Sequence, residues 1–489
     1  MTSTTSPPTA IERTTFFSVC AATLVVMGLV AAVNIAVPQL ASSSLHPDSS
    51  ALLWIVDAYV VVFACLVIPA GAMGDRFGRK GMLLSGLAVV AAGCLVCAVA
   101  PNVAVLLGAR VVTGIGAALV LPNCVGVIVH STPPERRARA LGAWGAVSGA
   151  GGLVGNTFGA AIVQVGTWRS LFAVVAALAA IGAIAVAVAA PRTPRVERAL
   201  DPVGTGLLVA ATVALLAGII EGPSAGWWSP TVIGAFLAGA ILAVAWVLVE
   251  LRLRNPLLDP RLFRIPQLST AALGMAVTFF GSFGLFYLNA SLLQYGRGFS
   301  PLEAGLGILP LAVPLLIVSR LVPGLVRRAG IRWVIAAAFA AIGVGLLGLS
   351  LSAREPYLVY ALWLVLVGVG FALALPSLTA ELTLALPPER AGIAGGLQAA
   401  TRELGSALGV AVVGTVLTAV FADRLPAELQ RLTPRPRTVA DAFAATLGHH
   451  PAILSAFVDG AVAGLRVAGI VTLLAGILVV IGSPRRARP

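Results

Sequence analysis

Gly71-Ala72-Met73-Gly74-Asp75-Arg76-Phe77-Gly78-Arg79-Lys80 separates two apolar runs, residues 52–74 and 81–100. Each run is about 20 residues long, the length at which an α-helix crosses a hydrocarbon core of roughly 30 Å. The stretch between them therefore reads as a tight loop at a membrane face. Its glycines permit a sharp turn and close helix approach, and Asp75 can engage helix-end dipoles and the neighbouring arginines. Outward from this loop the pattern repeats. Apolar runs cover residues 15–39, 52–74, 81–100, 103–129, 141–164, 170–190, 203–220, 230–250, 268–295, 302–326, 333–351, 357–386, 391–420 and 461–483. Runs of this length, repeated this often, specify an all-α polytopic membrane protein with fourteen transmembrane helices.

Composition agrees. Of 489 residues, 59% are hydrophobic and 10% charged, and mean hydropathy is +1.00, whereas soluble domains carry about 25% charge. The formal charge of +13 does not mark a nucleic-acid partner, because no basic helix or stripe carries interleaved aromatics. Arginine here marks topology instead. With the first loop taken as external, 21 of the 32 Lys and Arg fall on the opposite side and only seven outside. This bias predicts a multi-pass protein of the cell membrane with both termini in the cytoplasm. Residues 1–14 and 484–489 read as cytoplasmic tails. All five cysteines lie in apolar spans and read as small packing residues. His46, His130, His449 and His450 are scattered, and no glycine-rich loop has the spacing that cradles ATP phosphates, so no metal, cofactor or ATP hydrolysis is implied. The longest external segment, 421–460, starts irregularly around Pro426, Pro434 and Pro436. Its mildly amphipathic stretch Val439 to Phe457 is expected to lie as a short helix on the outer surface, as structural cover.

The loop Gly71 to Lys80, by its residues and its place after span 2, closely resembles the signature cytoplasmic loop of the major facilitator superfamily. A weaker echo, Gly324-Leu325-Val326-Arg327-Arg328-Ala329-Gly330, follows span 10 without the acidic residue. The resemblance implies two six-helix bundles, residues 15–190 and 268–483, and an inserted helix pair with flanking loops over 191–267. It also implies that Gly71, Asp75, Arg76, Gly78, Arg79 and Lys80 hold a cytoplasmic gate. Further matches point to the fourteen-span drug:proton antiporter group. They include Asn34-Ile35-Ala36-Val37-Pro38, Trp54-Ile55-Val56-Asp57-Ala58-Tyr59, Asp201-Pro202-Val203-Gly204, Phe299 to Gly305, Arg390 to Gly396 and Thr401 to Gly405, while Arg110 to Ala118 in span 4 resembles the superfamily motif built around an intramembrane arginine. Span 5 resembles the antiporter motif through Gly151, Gly155 and Gly159, but Asn156 stands at the usual proline and Ala160 at the second usual glycine. Leu29 stands where the group usually has an aspartate, and Thr113 where the superfamily commonly has a glutamine.

Asp57 and Arg110 sit at about 8 and 10 Å from the external ends of their spans, taking roughly 1.5 Å per residue. An ion pair between them is therefore geometrically possible, and intramembrane charges need a partner or a water-filled cavity. Asp57 can alternate between a protonated form and one paired with Arg110 or a cationic substrate. Glu403 is a secondary proton-site candidate; adjacent Arg402 points about 100° away around the helix, so a bond between them does not follow from position. Glu381 and Arg320, nearer the cytoplasmic ends of spans 12 and 10, are candidate gate contacts, with snorkelling to the interface equally open to Arg320. Candidates for lining a largely apolar substrate cavity are Asn34, Trp54, Tyr59, Asn123, Phe286, Tyr287, Asn289, Gln294 and Gln398.

The function that follows is proton-coupled export of amphiphilic small molecules by alternating access. Protons, the substrate and the lipid bilayer are the partners, and the chain is expected to act as a monomer. Uptake or facilitated movement of a specific metabolite is the alternative, favoured by Leu29, Asn156 and Ala160. A membrane enzyme or receptor would need a catalytic constellation or a sizeable soluble domain, and neither is legible.

Overall fold

The computed structural model describes residues 10–41, 43–45, 47, 49–195, 201–253, 259–386, 391–432, 435–446 and 451–483. Residues 1–9, His46, Arg198, Arg254, Arg390, His449, His450 and the tail 484–489 lie outside the described residues.

Every regular element among the described residues is helical. In chain order these are α1 (Ala10–Ala41), α2 (Ser49–Phe77), α3 (Arg79–Ala98), α4 (Val103–Ser131), α5 (Pro134–Val165), α6 (Trp168–Ala189), α7 (Pro202–Ala225), α8 (Pro230–Glu250), α9 (Pro266–Ser291), α10 (Pro301–Leu306), α11 (Leu309–Ile317), α12 (Val322–Ala329), α13 (Ile331–Leu351), α14 (Tyr357–Leu384), α15 (Ala391–Arg424), α16 (Ala427–Gln430), α17 (Val439–Ala444) and α18 (Pro451–Gly482). Together they make fourteen spans long and apolar enough to cross a membrane.

Two spans differ from the sequence reading. Span 10 is not one helix but α10, α11, the 3-10 turn Val318–Arg320 and α12. Pro310 and Pro323 open α11 and α12 near their first positions and Pro314 sits inside α11, so the hydrogen-bond ladder is interrupted repeatedly. The last span begins at Pro451, ten residues before the expected start. Val439 to Phe457 is consequently not one surface helix. Thr438 and Asp441 form a capping box that starts the six-residue α17, while Phe457 already belongs to α18.

The chain divides into two units. The first comprises Met1–Val209, Leu248–Asp259 and Pro387–Ala399; the second comprises Ala210–Val247, Pro260–Leu386 and Ala400–Pro489. In the first, α1 packs on α5, α2 on α4, and α3 on both α4 and α6. Lipid tails are as apolar as leucine, so close van der Waals contact, not water exclusion, drives such packing. Glycine makes it possible here: a Cβ on Gly155 would overlap the backbone of Gly28, which brings α5 directly onto α1. Gly151 and Gly159 meet Met27 and Ala32 along the same seam. Val26, Leu29, Phe63, Leu87 and Phe172 fill the interior. In the second unit α13 packs on α14 and α18, and α9 on α14 and α18. Trp227, in the turn between α7 and α8, stacks on Phe236 and donates its Nε1–H to Thr415 Oγ1 at 3.0 Å, tying that turn to α15.

Candidate functional site

The loop that opened the reading turns at Gly78, whose φ of +98° is strained for any residue with a Cβ. That turn starts α3 one residue later. Asp75 and Arg79 form an ion pair across it. The backbone N–H of Arg79 donates to Thr193 Oγ1 at 2.8 Å, and Lys80 Nζ donates to the carbonyls of Ala187 and Ala190 at 2.8 and 2.6 Å. A cation is thereby held on the otherwise unpaired carbonyls at the end of α6, where the helix dipole favours it. The Arg79 side chain lies against Gly126 of α4, and Gly74 leaves room for Asn123. Gly71 is buried beside Pro122, and exposed Arg76 lies over the Phe77 ring at 5.5 Å. The loop is thus a clasp joining α2, α3, α4 and the end of α6.

Deeper in the same unit, Arg110 is fully buried on α4. Its Nε donates to the carbonyl of Ile55 at 2.7 Å and its Nη2 to that of Val56 at 3.2 Å, while Tyr59 lies under the guanidinium at 4.7 Å. Each carbonyl has a second lone pair, so it can accept from arginine and still serve the α2 ladder. Tyr59 in turn donates to the carbonyl of Val26 at 3.1 Å, linking α2 to α1. Half-buried Asp57 follows directly on the arginine-binding carbonyls. It is near enough to feel the Arg110 charge, yet the two form no ion pair among the described residues. The direct pairing that equal depth allowed is replaced by carbonyl capture. Leu29 is buried in the apolar interior.

In the second unit, Arg402 and Glu403 do bond despite being adjacent: Nε donates to Oε1 at 2.8 Å, and Nη2 lies 2.7 Å from the same oxygen. The long arginine bends back around the helix, with its guanidinium 5.8 Å from the centre of the Phe279 ring. Buried Glu381 and exposed Arg320 form no ion pair among the described residues. At the other end of the unit, Tyr360 donates to Asn289 Oδ1 at 2.8 Å. Arg297 lies over that tyrosine and donates to the carbonyls of Ser352, Ala353 and Glu355. Burial lowers the pKa of Arg297 from its ordinary value, with Tyr360 and Tyr357 opposing the shift.

The nine cavity candidates differ in accessibility. Tyr59, Asn123 and Asn289 are buried within helix packing, Asn123 donating to the carbonyls of Leu119 and Ala70. Asn34 and Tyr287 are exposed, and Trp54, Phe286, Gln294 and Gln398 are half-buried. Gln294 lies in a π-turn, Leu292–Gly296, that ends span 9. Asn156 is half-buried on the α5 seam. Sequence reasoning missed Thr193, Arg297 and Trp227. Their partners are a distant backbone N–H for Thr193, backbone carbonyls for Arg297 and a hydroxyl for Trp227, which leave no spacing pattern to find.

The fourteen apolar helices, the motif clasp after the second and the intramembrane arginine locked onto that second helix lie in a chain whose residues 19–410 match the Major Facilitator Superfamily. The chain belongs to the Major Facilitator Superfamily. Among its relatives is "Multidrug resistance protein Stp" of Mycobacterium tuberculosis (strain CDC 1551 / Oshkosh), 34% identical over 83% of this chain and 75% of the relative. "Tetracenomycin C resistance and export protein" of Streptomyces glaucescens is 32% identical over 94% of this chain and 89% of the relative. A solved bacterial homologue of the human lysosomal transporter Spinster, inward-facing and unoccupied, superposes with a TM-score of 0.66 at 18% identity, covering 97% of this chain and 98% of that one. At that identity the likeness speaks for the fold. As a superfamily member, this chain is a multi-pass membrane transporter of small molecules and not an enzyme.

Proposed function

We propose that this superfamily member exports amphiphilic small molecules of drug or natural-product type, driven by inward proton movement through alternating access. The observation that carries the reading is Asp57. Arg110, whose charge reaches it, donates through Nε and Nη2 to backbone carbonyls, so among the described residues the carboxyl forms no ion pair and is available to a proton or a cationic group. Relatives named for multidrug resistance and for tetracenomycin C export support the substrate class. The motif clasp supports a cytoplasmic gate, and arginine placement supports a cell-membrane location with both termini inside. The division into residues 15–190, an inserted pair in 191–267 and 268–483 is proposed with it, as is a monomeric working unit.

Purified protein in vesicles tests this. An imposed pH gradient is expected to drive accumulation of ethidium or tetracenomycin C, and Asp57→Asn is expected to abolish the gradient dependence while the protein still folds. Movement that ignores both changes would favour the second reading, facilitated movement of a specific metabolite. The buried Leu29, in place of a second carboxylate, is the feature that favours that reading.

A further inference from the structure

The second unit holds a carboxylic acid that none of the contacts above uses. Glu381 on α14 is 1% exposed, and among the described residues neither of its carboxyl oxygens has a hydrogen-bond partner. One turn earlier on the same helix face, Ser377 is equally buried and its hydroxyl also lacks a partner. Pro376 just before it has no N–H to bond the carbonyl one turn back, so the backbone ladder is interrupted on the N-terminal side of Ser377. Leu378, Leu382 and Leu386 around them are buried.

Among the described residues, no cation on the elements packed closely on α14 forms an ion pair with Glu381. Those elements are α9, α11, the 3-10 turn Val318–Arg320, α12 and α13. Neither α9 nor α11 contains a charged residue. The others bring Arg320, Arg327, Arg328 and Arg332, none of which pairs with Glu381 among the described residues. The tyrosines Tyr287, Tyr357 and Tyr360 lie toward the far end of the unit, about 30 Å of helix rise from Glu381 in the case of Tyr360. An isolated ionised carboxylate in such surroundings is so costly that the group neutralises instead. A neutral residue of the same size would avoid the problem altogether.

We propose that Glu381 is a proton-carrying site of the second unit, distinct from Asp57, with Ser377 as its hydrogen-bonding neighbour. The acid holds its proton while enclosed. When packing opens at the end of α14 that the proposed topology places in the cytoplasm, about 5 Å of helix rise away, the O–H bond breaks and the proton passes to water. The site deepens the proton-coupled reading and rests on it.

Full-length protein in phosphatidylcholine vesicles provides the test. Infrared difference spectra recorded between about pH 5 and pH 9 are expected to contain a protonated-carboxyl C=O band that Glu381→Gln removes. An acid band undiminished in the variant would overturn the proposal. So that the test does not depend on assembly of the variant, the wild-type protein is also treated with dicyclohexylcarbodiimide, which attacks protonated carboxyls in apolar surroundings. A mass-mapped adduct on Glu381 that falls at alkaline pH supports the site, and a Glu381 peptide without adduct overturns it. Gradient-driven ethidium accumulation is expected to be lost in Glu381→Gln while ethidium exchange at equal pH persists. Should wild-type ethidium movement ignore the gradient while the band and adduct are present, proton-coupled export fails and the proton site stands. Gradient-driven transport with neither band nor adduct sinks the site alone.

Discussion

Arg110 binds the carbonyls of Ile55 and Val56, the two residues immediately before Asp57, and not the Asp57 carboxylate. The arginine thereby fixes α4 against α2 and places a positive charge beside an acid it does not neutralise. Planar geometry is essential, since two N–H groups of one guanidinium reach successive carbonyls while its face rests on Tyr59. Arg110→Lys keeps the charge but loses the fork, and is expected to cost about 1–3 kcal/mol of stability. Arg110→Ala, which also opens a cavity, is expected to cost about 2–5 kcal/mol. Thermal unfolding in detergent measures both; a lysine variant as stable as the parent would show that the carbonyl contacts contribute nothing.

The α1–α5 seam gives a paired test of close packing. Gly155→Ala drives a Cβ into the Gly28 backbone and is expected to destabilise by about 1–3 kcal/mol. Gly152, three residues earlier, has no foreign atom within 4 Å of an added Cβ. Gly152→Ala is therefore expected to be neutral or to stabilise by up to about 1 kcal/mol through helix propensity. Equal unfolding temperatures for the two variants would contradict the seam.

Arg402 and Glu403 form an ion pair whose side chains are only 12% and 8% exposed. Removing the carboxylate alone, by Glu403→Gln, leaves a buried guanidinium without its counter-charge and is expected to cost about 3–5 kcal/mol. Replacing both, Arg402→Met with Glu403→Leu, is expected to be less damaging than the two single changes added together. Strict additivity in unfolding experiments would deny the coupling.

The Trp227–Thr415 hydrogen bond joins residues 188 apart in sequence. A double-mutant cycle with Trp227→Phe and Thr415→Val is expected to return a coupling of about 0.5–1.5 kcal/mol. A coupling indistinguishable from zero would mean that stacking on Phe236 alone holds the turn.

Span number and type were readable because hydrocarbon thickness imposes one length on every helix, and no compensating contact relaxes that demand. The same rule explains the errors. Residues 451–460, mostly apolar but carrying Ser455 and Asp459, extend α18 beyond the minimum needed to cross, which a length criterion has no reason to include. The interruption of span 10 was also written in Pro310, Pro314 and Pro323, but continuous hydropathy masked it.

Sequence by itself determined the all-helical membrane fold, the tight motif turn within Gly71 to Lys80 and the short list of charges held within lipid-spanning segments. All three are local or one-dimensional, following from helix length, glycine at turns and the cost of charge in hydrocarbon. Only tertiary structure decided what each charge touches. Arg110 took backbone carbonyls, Arg402 bent back to its own neighbour, and Glu381 was left among leucines without a partner among the described residues. Those outcomes depend on which faces of two helices meet and how closely, and that is set by side-chain packing between segments far apart in the chain.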